Sequence, residues 1–162
     1  MKLFIRQSFT QADSGQESLV QSVIDEIRRE YACADFLTGT HALNKNSFIE
    51  YFEHQMKQEF TAKSFRQYRL GLIEQCDALI FIRTSMSESG AYELAYNLHS
   101  QKPKPVFYAH WVNAPIKTTL LRELDDEYPL VYNAFNSSDD ILAGLSVFFK
   151  RYDLLEVESA LA

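Results

Sequence analysis

The sequence predicts an α/β protein with a parallel sheet covered by helices on both faces. Short apolar runs alternate along the chain with segments of helical periodicity, which is the pattern of repeated strand–helix units. The segment Asp77–Arg83 contains five consecutive apolar residues without polar alternation, and this indicates a strand buried on both faces. At 162 residues the chain has the length of one domain.

The strands are predicted where short apolar runs end in polar or turn-forming residues. The first is a buried run near the N-terminus, the third is the central strand, and the fourth follows a Lys-Pro-Lys-Pro turn. The five predicted strands are Lys2–Arg6, Ala32–Leu37, Asp77–Arg83, Pro105–Trp111 and Pro129–Phe135. Strands and helices in this alternation predict a flavodoxin-like, doubly wound sheet of order 2-1-3-4-5.

The helices are predicted from apolar residues recurring every three or four positions. The long segment between the second and third strands divides into two helices near Thr61–Ser64. Polar residues before the last helix supply several possible N-caps. The predicted helices are Gln16–Tyr31, two within Asn44–Cys76, Ser87–Gln101, a short one at Lys117–Leu124, and Ser138–Leu154. We expect residues 1–155 to form the single domain and residues 156–162 to be a frayed tail.

Composition narrows the functional class. With 46% hydrophobic and 14% aromatic residues the chain is not intrinsically disordered. Its 16 basic and 22 acidic residues give a net charge of −6, which argues against binding to nucleic-acid polymers or anionic membranes. Two cysteines are too few for a disulfide framework, and no apolar run approaches the roughly 18 residues of a membrane helix. We expect a soluble, cytoplasmic protein without a metal site.

The candidate site lies at the switch point of the predicted sheet, beyond the carboxyl ends of strands 1 and 3. The loop after strand 3 contains Ser87, Ser89 and Gly90 at the start of a helix, where free N–H groups suit a polar or anionic ligand. Glu93 follows near the positive pole of that helix. Two structural interpretations compete. Ser85–Glu88 fits a capping box, and Glu93 lies on the side of the helix away from its apolar stripe, toward solvent.

Other polar residues are predicted on the same rim. Arg6 and Arg83 end adjacent strands, where two guanidinium groups suit a phosphate or carboxylate; the alternative is a pair of salt bridges to nearby acids. His110 ends strand 4 and is either a substrate-binding residue or a hydrogen-bonded rim residue. No Gly-x-Gly-x-x-Gly motif or P-loop is present, so no cofactor is predicted.

The central part of the sequence resembles a known enzyme superfamily. The segments Asp77–Ile82, Ser87–Tyr96 and Lys104–Val106 are similar to the signature of nucleoside 2-deoxyribosyltransferases, and the same stretch resembles TIR domains. Both resemblances imply cleavage of the N-glycosidic bond to ribose or deoxyribose, with Glu93 as nucleophile or oxocarbenium stabiliser.

The resemblance also implies a substrate site. Ser87, Ser89 and Gly90 would hold sugar hydroxyls or a 5′-phosphate, and Ser8 and Phe9 would join them from the first loop, with Phe9 stacking on the base. The sequence departs from the pattern, because Ser89 stands where the transferases usually have the glycine.

Two functions remain open. The first is an N-glycosidase or glycosyltransferase acting on a nucleoside, nucleotide or NAD-like substrate, with NAD as a substrate and not a cofactor. The alternative is a non-catalytic, TIR-like or flavodoxin-like module for nucleotide sensing or protein interaction. A homo-oligomer is expected in both cases.

Overall fold

A parallel sheet forms the centre of the computed structural model, which describes residues 1–7, 14–39 and 45–155. Within these residues the strands are β1 (Lys2–Gln7), β2 (Asp35–Phe36), β3 (Ala78–Arg83), β4 (Val106–Trp111) and β5 (Leu130–Phe135). Every neighbouring pair is parallel, and the order is β2-β1-β3-β4-β5. The predicted topology is therefore confirmed. The predicted tail, residues 156–162, lies outside the described residues.

The described chain contains five α-helices, of which four lie between strands and the fifth follows β5. They are α1 (Ser14–Glu30), α2 (Lys45–Met56), α3 (Ala62–Gln75), α4 (Glu88–Leu98) and α5 (Ser138–Arg151). The predicted break between α2 and α3 is confirmed, and its cause is a reciprocal cap. The Thr61 side chain accepts a hydrogen bond from the Ser64 amide at 3.0 Å, and the Ser64 hydroxyl accepts one from the Thr61 amide at 2.9 Å. None of the described helices is both long and apolar enough to cross a membrane.

The core has two layers, one on each face of the sheet. Because side chains alternate along a strand, Leu3 and Ile5 of β1 face one layer and Phe4 faces the other. The first layer is completed by α1 and α5, and the second by α3 and α4. Helices therefore cover both faces, as the buried run Ala78–Ile82 predicts.

Strand β2 is shorter than the predicted Ala32–Leu37, because only Asp35 and Phe36 pair with β1. Beyond them the hydroxyl of Thr38 takes over the pairing: it accepts from the Ile5 amide at 2.8 Å and donates to the Ile5 carbonyl at 2.7 Å. Gly39 then turns the chain with a φ of 85°. The hydroxyl thus satisfies β1 just beyond the predicted end of the strand at Leu37, while the predicted start of the strand is a turn in which the Ala34 amide donates to the Tyr31 carbonyl at 3.0 Å.

The prediction of one short helix over Lys117–Leu124 is wrong. The chain instead forms two 3₁₀ turns, Thr119–Leu121 and Leu124–Asp126, separated by Glu123 in the left-handed region at φ 57°. The Tyr132 hydroxyl fixes these turns by donating to the Leu121 carbonyl and accepting from the Leu124 amide. No α-helix therefore packs beside α4 over β4 and β5 in this part of the described chain.

Candidate active site

Glu93 is a buried carboxylate, although its position on α4 predicted exposure to solvent. Only 5% of the residue is exposed. Its Oε1 accepts hydrogen bonds from Arg6 Nη1 at 3.3 Å and from Arg69 Nε at 3.0 Å, and its Oε2 accepts one from Arg69 Nη2 at 3.0 Å. The expectation of a solvated side chain is wrong, because Glu93 lies on the buried face of α4 beside Leu94, whereas Ala95 of the predicted stripe is exposed. Arg69 of α3 covers the Glu93 carboxylate on that face.

Arg69 is a site residue that the sequence analysis missed. It lies on α3 with 9% exposure, and its guanidinium stacks over the ring of Phe4 at 4.4 Å. Its side-on pair with Glu93 is the bidentate geometry that fixes a carboxylate most firmly. A signal was present in the sequence. Arg69 is four residues after Phe65 and three before Leu72, so the helical period places a charged residue on the core face of α3.

Arg6 lies at the end of β1 and completes what we call the guanidinium–carboxylate cluster, Arg6, Arg69 and Glu93. Burial lowers the pKa of Arg6, the Glu93 carboxylate acts in the opposite direction, and the neighbouring Arg69 lowers it further. The Nε of Arg6 is buried without a hydrogen-bond partner among the described residues. The cluster thus combines two cationic groups with one anionic group.

The start of α4 borders the cluster. Ser87 is the N-cap, and its Oγ accepts from the Gly90 amide at 3.1 Å. The predicted capping box at Ser85–Glu88 is wrong, because Glu88 is already the first helical residue. A Cβ at Gly90 would lie 3.2 Å from the Ser87 Oγ and 4.0 Å from the Arg6 Nε, so a glycine lets the helix start close to both groups. Ser89 faces solvent.

A cavity of about 790 Å³, which we call the α4 groove, opens beside the cluster. One wall is a single face of α4, the other is the segment 118–128, and the floor is the stacked ring pair Phe81 and Tyr108. Arg6 and Gly90 also line this groove. Glu93 lies two residues from Ala91, which lines the wall, and residues two apart on a helix project roughly 200° apart. The carboxylate is therefore on the far side of α4, and Arg6 is the contact between the two regions.

The remaining predicted residues fall into two groups. Arg83 lines the α4 groove together with Arg6, while its Nη1 donates to the Ala114 carbonyl at 2.6 Å. His110 pairs with Arg83 in the sheet register but does not line the groove, and its Nδ1 is buried without a partner in the described chain. Burial lowers the pKa of His110, and the Arg83 charge lowers it further.

Ser8 and Phe9 lie outside the described residues. The described part of the chain also contains no group of three or more His, Cys, Asp or Glu side chains placed to hold a metal ion.

The sequence matches no family model and no curated protein sequence. The structure is similar to that of the CMP N-glycosidase BcmB of Clostridium botulinum, with a TM-score of 0.62 over 91% of this chain and 99% of that one. The two sequences are 13% identical over this match, so the similarity is one of fold.

Proposed function

We propose that this protein cleaves the N-glycosidic bond of a nucleotide, with Glu93 as the catalytic carboxylate. The observation that carries the proposal is a buried carboxylate, oriented by two guanidinium groups, at the edge of the sheet where β1 and β3 end. Ligands of doubly wound sheets bind at this switch point. The shared fold with a CMP N-glycosidase supports the same class of reaction.

The chemistry requires an anionic group beside the sugar. When the C1′–N bond breaks, its electron pair leaves with the base, which takes up a proton, and C1′ acquires oxocarbenium character. A carboxylate stabilises this cation or bonds to C1′. Water then supplies its oxygen to C1′ and releases a proton, so that the products are the free base and the sugar phosphate. An acceptor base in place of water gives transfer.

The cluster suits this role in one particular respect. Glu93 Oε1 accepts from two donors, whereas Oε2 accepts from Arg69 alone among the described residues. Each carboxylate oxygen has two acceptor sites, so Oε2 keeps one for the sugar. Arg69 holds the carboxylate plane, and Arg6, Arg83, Ser87 and Gly90 would bind the phosphate and sugar.

The test is base release from a panel of nucleosides, nucleoside 5′-monophosphates and NAD, followed by chromatography with and without an acceptor base. We expect release from at least one monophosphate, and loss of at least about a hundredfold in Glu93→Gln, since removal of a stabilising group typically costs two to three orders of magnitude. Glu30→Gln, an exposed acid at the end of α1, is the matched control and should keep full activity. Equal activity of Glu93→Gln and the wild type would refute the role of Glu93.

One observation favours a second candidate, a non-catalytic nucleotide-binding module. Both oxygens of Glu93 are already paired with guanidinium groups, which is also the arrangement of a purely structural ion pair. Nucleotide binding by calorimetry, together with no base release from any member of the panel, would favour this module over the enzyme.

A further inference from the structure

We propose that Arg6 exchanges partners: it leaves Glu93 for the anionic group of the ligand, and this exchange both selects phosphate-bearing substrates and releases the carboxylate for catalysis. The catalytic part rests on the proposed function, whereas the exchange itself can be measured without turnover. The inference follows from three properties of the guanidinium–carboxylate cluster.

The two arginines hold Glu93 unequally. Arg69 makes two hydrogen bonds of 3.0 Å, is 9% exposed, and is stacked on Phe4. Arg6 makes one hydrogen bond of 3.3 Å to Oε1, and it lines the α4 groove, which Glu93 and Arg69 do not. Arg69 is therefore anchored, and Arg6 is the member of the cluster that can reach a ligand.

The cluster also carries an unbalanced charge. Two guanidinium groups face one carboxylate in a buried site, so one positive charge has no partner within the cluster. The energetic cost of this unpaired charge falls on Arg6. Burial lowers the pKa of Arg6, and its Nε has no hydrogen-bond partner among the described residues. Buried charges are normally paired and hydrogen-bonded. A ligand phosphate on the Nε side of Arg6 would supply both the missing charge and the missing acceptor.

The exchange matters because of the charge of the transition state. An oxocarbenium ion approaching the cluster as it stands meets a net positive charge, which opposes its formation. Once a phosphate has bound Arg6, the remaining Arg69–Glu93 pair is neutral, and Glu93 Oε1 is left with one donor among the described residues instead of two. The substrate's own phosphate thus prepares the carboxylate. A nucleoside without a phosphate leaves Arg6 on Glu93 and should react slowly.

The first experiment compares a nucleoside 5′-monophosphate with the corresponding nucleoside, measuring kcat and KM for each. The wild type should favour the monophosphate in kcat as well as in KM, and inorganic phosphate should stimulate cleavage of the nucleoside. In Arg6→Met the preference should shrink by about tenfold or more and the stimulation should vanish, because the charge-assisted bond is lost. Arg66→Met, an exposed arginine on the same helix as Arg69, controls for the change in net charge and should keep the preference.

The second experiment measures binding of inorganic phosphate by calorimetry without any turnover. Glu93 competes with phosphate for Arg6, so Glu93→Gln should bind phosphate about tenfold more tightly than the wild type, and Arg6→Met should bind it at least about tenfold more weakly. Circular dichroism verifies that each variant is folded. If Glu93→Gln does not fold, the comparison of the wild type with Arg6→Met still tests the exchange.

The outcomes separate the two proposals. Phosphate binding that is unchanged in Arg6→Met, or weaker in Glu93→Gln that is folded, overturns the exchange. An equal fall in activity toward the nucleoside and the monophosphate in Arg6→Met also overturns the exchange, because a purely structural role of Arg6 would give that result. If no base is released but phosphate binding changes in the variants as expected, the proposed enzymatic function is refuted and the exchange of Arg6 between Glu93 and phosphate is supported.

Discussion

Replacing Arg69 by Met tests the energetics of the guanidinium–carboxylate cluster. Among the described residues, the substitution leaves Glu93, which is 5% exposed, with the 3.3 Å contact to Arg6 alone. Removing one partner of a buried ion pair typically destabilises a protein by about 3–5 kcal/mol. Arg6 still compensates part of the charge, and a methionine sulfur packs favourably on an aromatic ring such as Phe4. We therefore expect the lower end of this range, about 3 kcal/mol.

The measurement is urea unfolding at neutral pH, followed by far-ultraviolet circular dichroism and by the fluorescence of Trp111, the only tryptophan of the chain. The midpoint should fall while the slope with urea stays unchanged, because the exposed surface of the unfolded state is the same. In thermal unfolding the same loss corresponds to a fall in Tm of about 6–12 °C for a domain of this size.

Two further variants make the argument refutable. Arg66→Met, an exposed arginine on the same helix, should change the stability by less than about 0.5 kcal/mol. Combining Arg69→Met with Glu93→Gln removes both the guanidinium and the charge it balances, so the double variant should be more stable than the sum of the single losses predicts. A loss below about 1 kcal/mol in Arg69→Met, or strict additivity, would show that the pair does not stabilise the fold.

Other substitutions probe the core and the thiols. Gly144→Ala should cost about 1–3 kcal/mol in urea unfolding, since its Cβ would lie 2.3 Å from the Asn133 Oδ1, whereas Gly71→Ala, with nothing within 4 Å, should gain about 0.5–1 kcal/mol of helix stability. A gain in stability in Gly144→Ala and a loss in Gly71→Ala would refute this account of the packing around the two glycines. In the native protein a thiol reagent at pH 8 should modify exposed Cys33 and spare Cys76, because burial raises the pKa of Cys76 to about 12; two rapid equivalents would contradict this. The folded state therefore keeps a proton on Cys76 that the unfolded thiol loses above its ordinary pKa of 9.0. The free energy of unfolding should fall as pH rises from about 9 toward 12, and it should fall less steeply in Cys76→Ala. Urea unfolding at each pH measures both trends.

The sheet was predictable because its determinants are local in the sequence. The apolar run Ala78–Ile82 is buried on both faces, and each predicted strand is present in the predicted order. The errors come from contacts between distant residues. The hydroxyl of Thr38 continues the hydrogen bonding to β1 just beyond the predicted second strand, and the hydroxyl of Tyr132 fixes 3₁₀ turns where a helix was expected. Neither contact has a signal in the periodicity of its own segment.

The candidate site, like the fold, was predictable only as far as its determinants are local in the sequence. The helical period places Glu93 opposite the predicted apolar stripe of α4, and that placement is wrong, because Glu93 shares the buried face of the helix with Leu94 and Leu98. The period also does not specify what lies there, because the environment of Glu93 is supplied by α3, whose Arg69 is 24 residues earlier in the chain. The functional roles of Arg6, Ser8, Phe9, Arg83, Ser87, Ser89, Gly90, Glu93 and His110 stay predictions.

The connection between β4 and β5 has an evolutionary consequence. It walls the α4 groove, yet none of its residues belongs to the sheet, and the Tyr132 hydroxyl anchors its two short turns. Surface connections tolerate insertion and replacement far better than paired strands do. Under the proposed function, ligand preference can therefore diversify through a segment whose changes leave the sheet and the Glu93 pair intact, and residues 112–129 are where new specificities would be introduced.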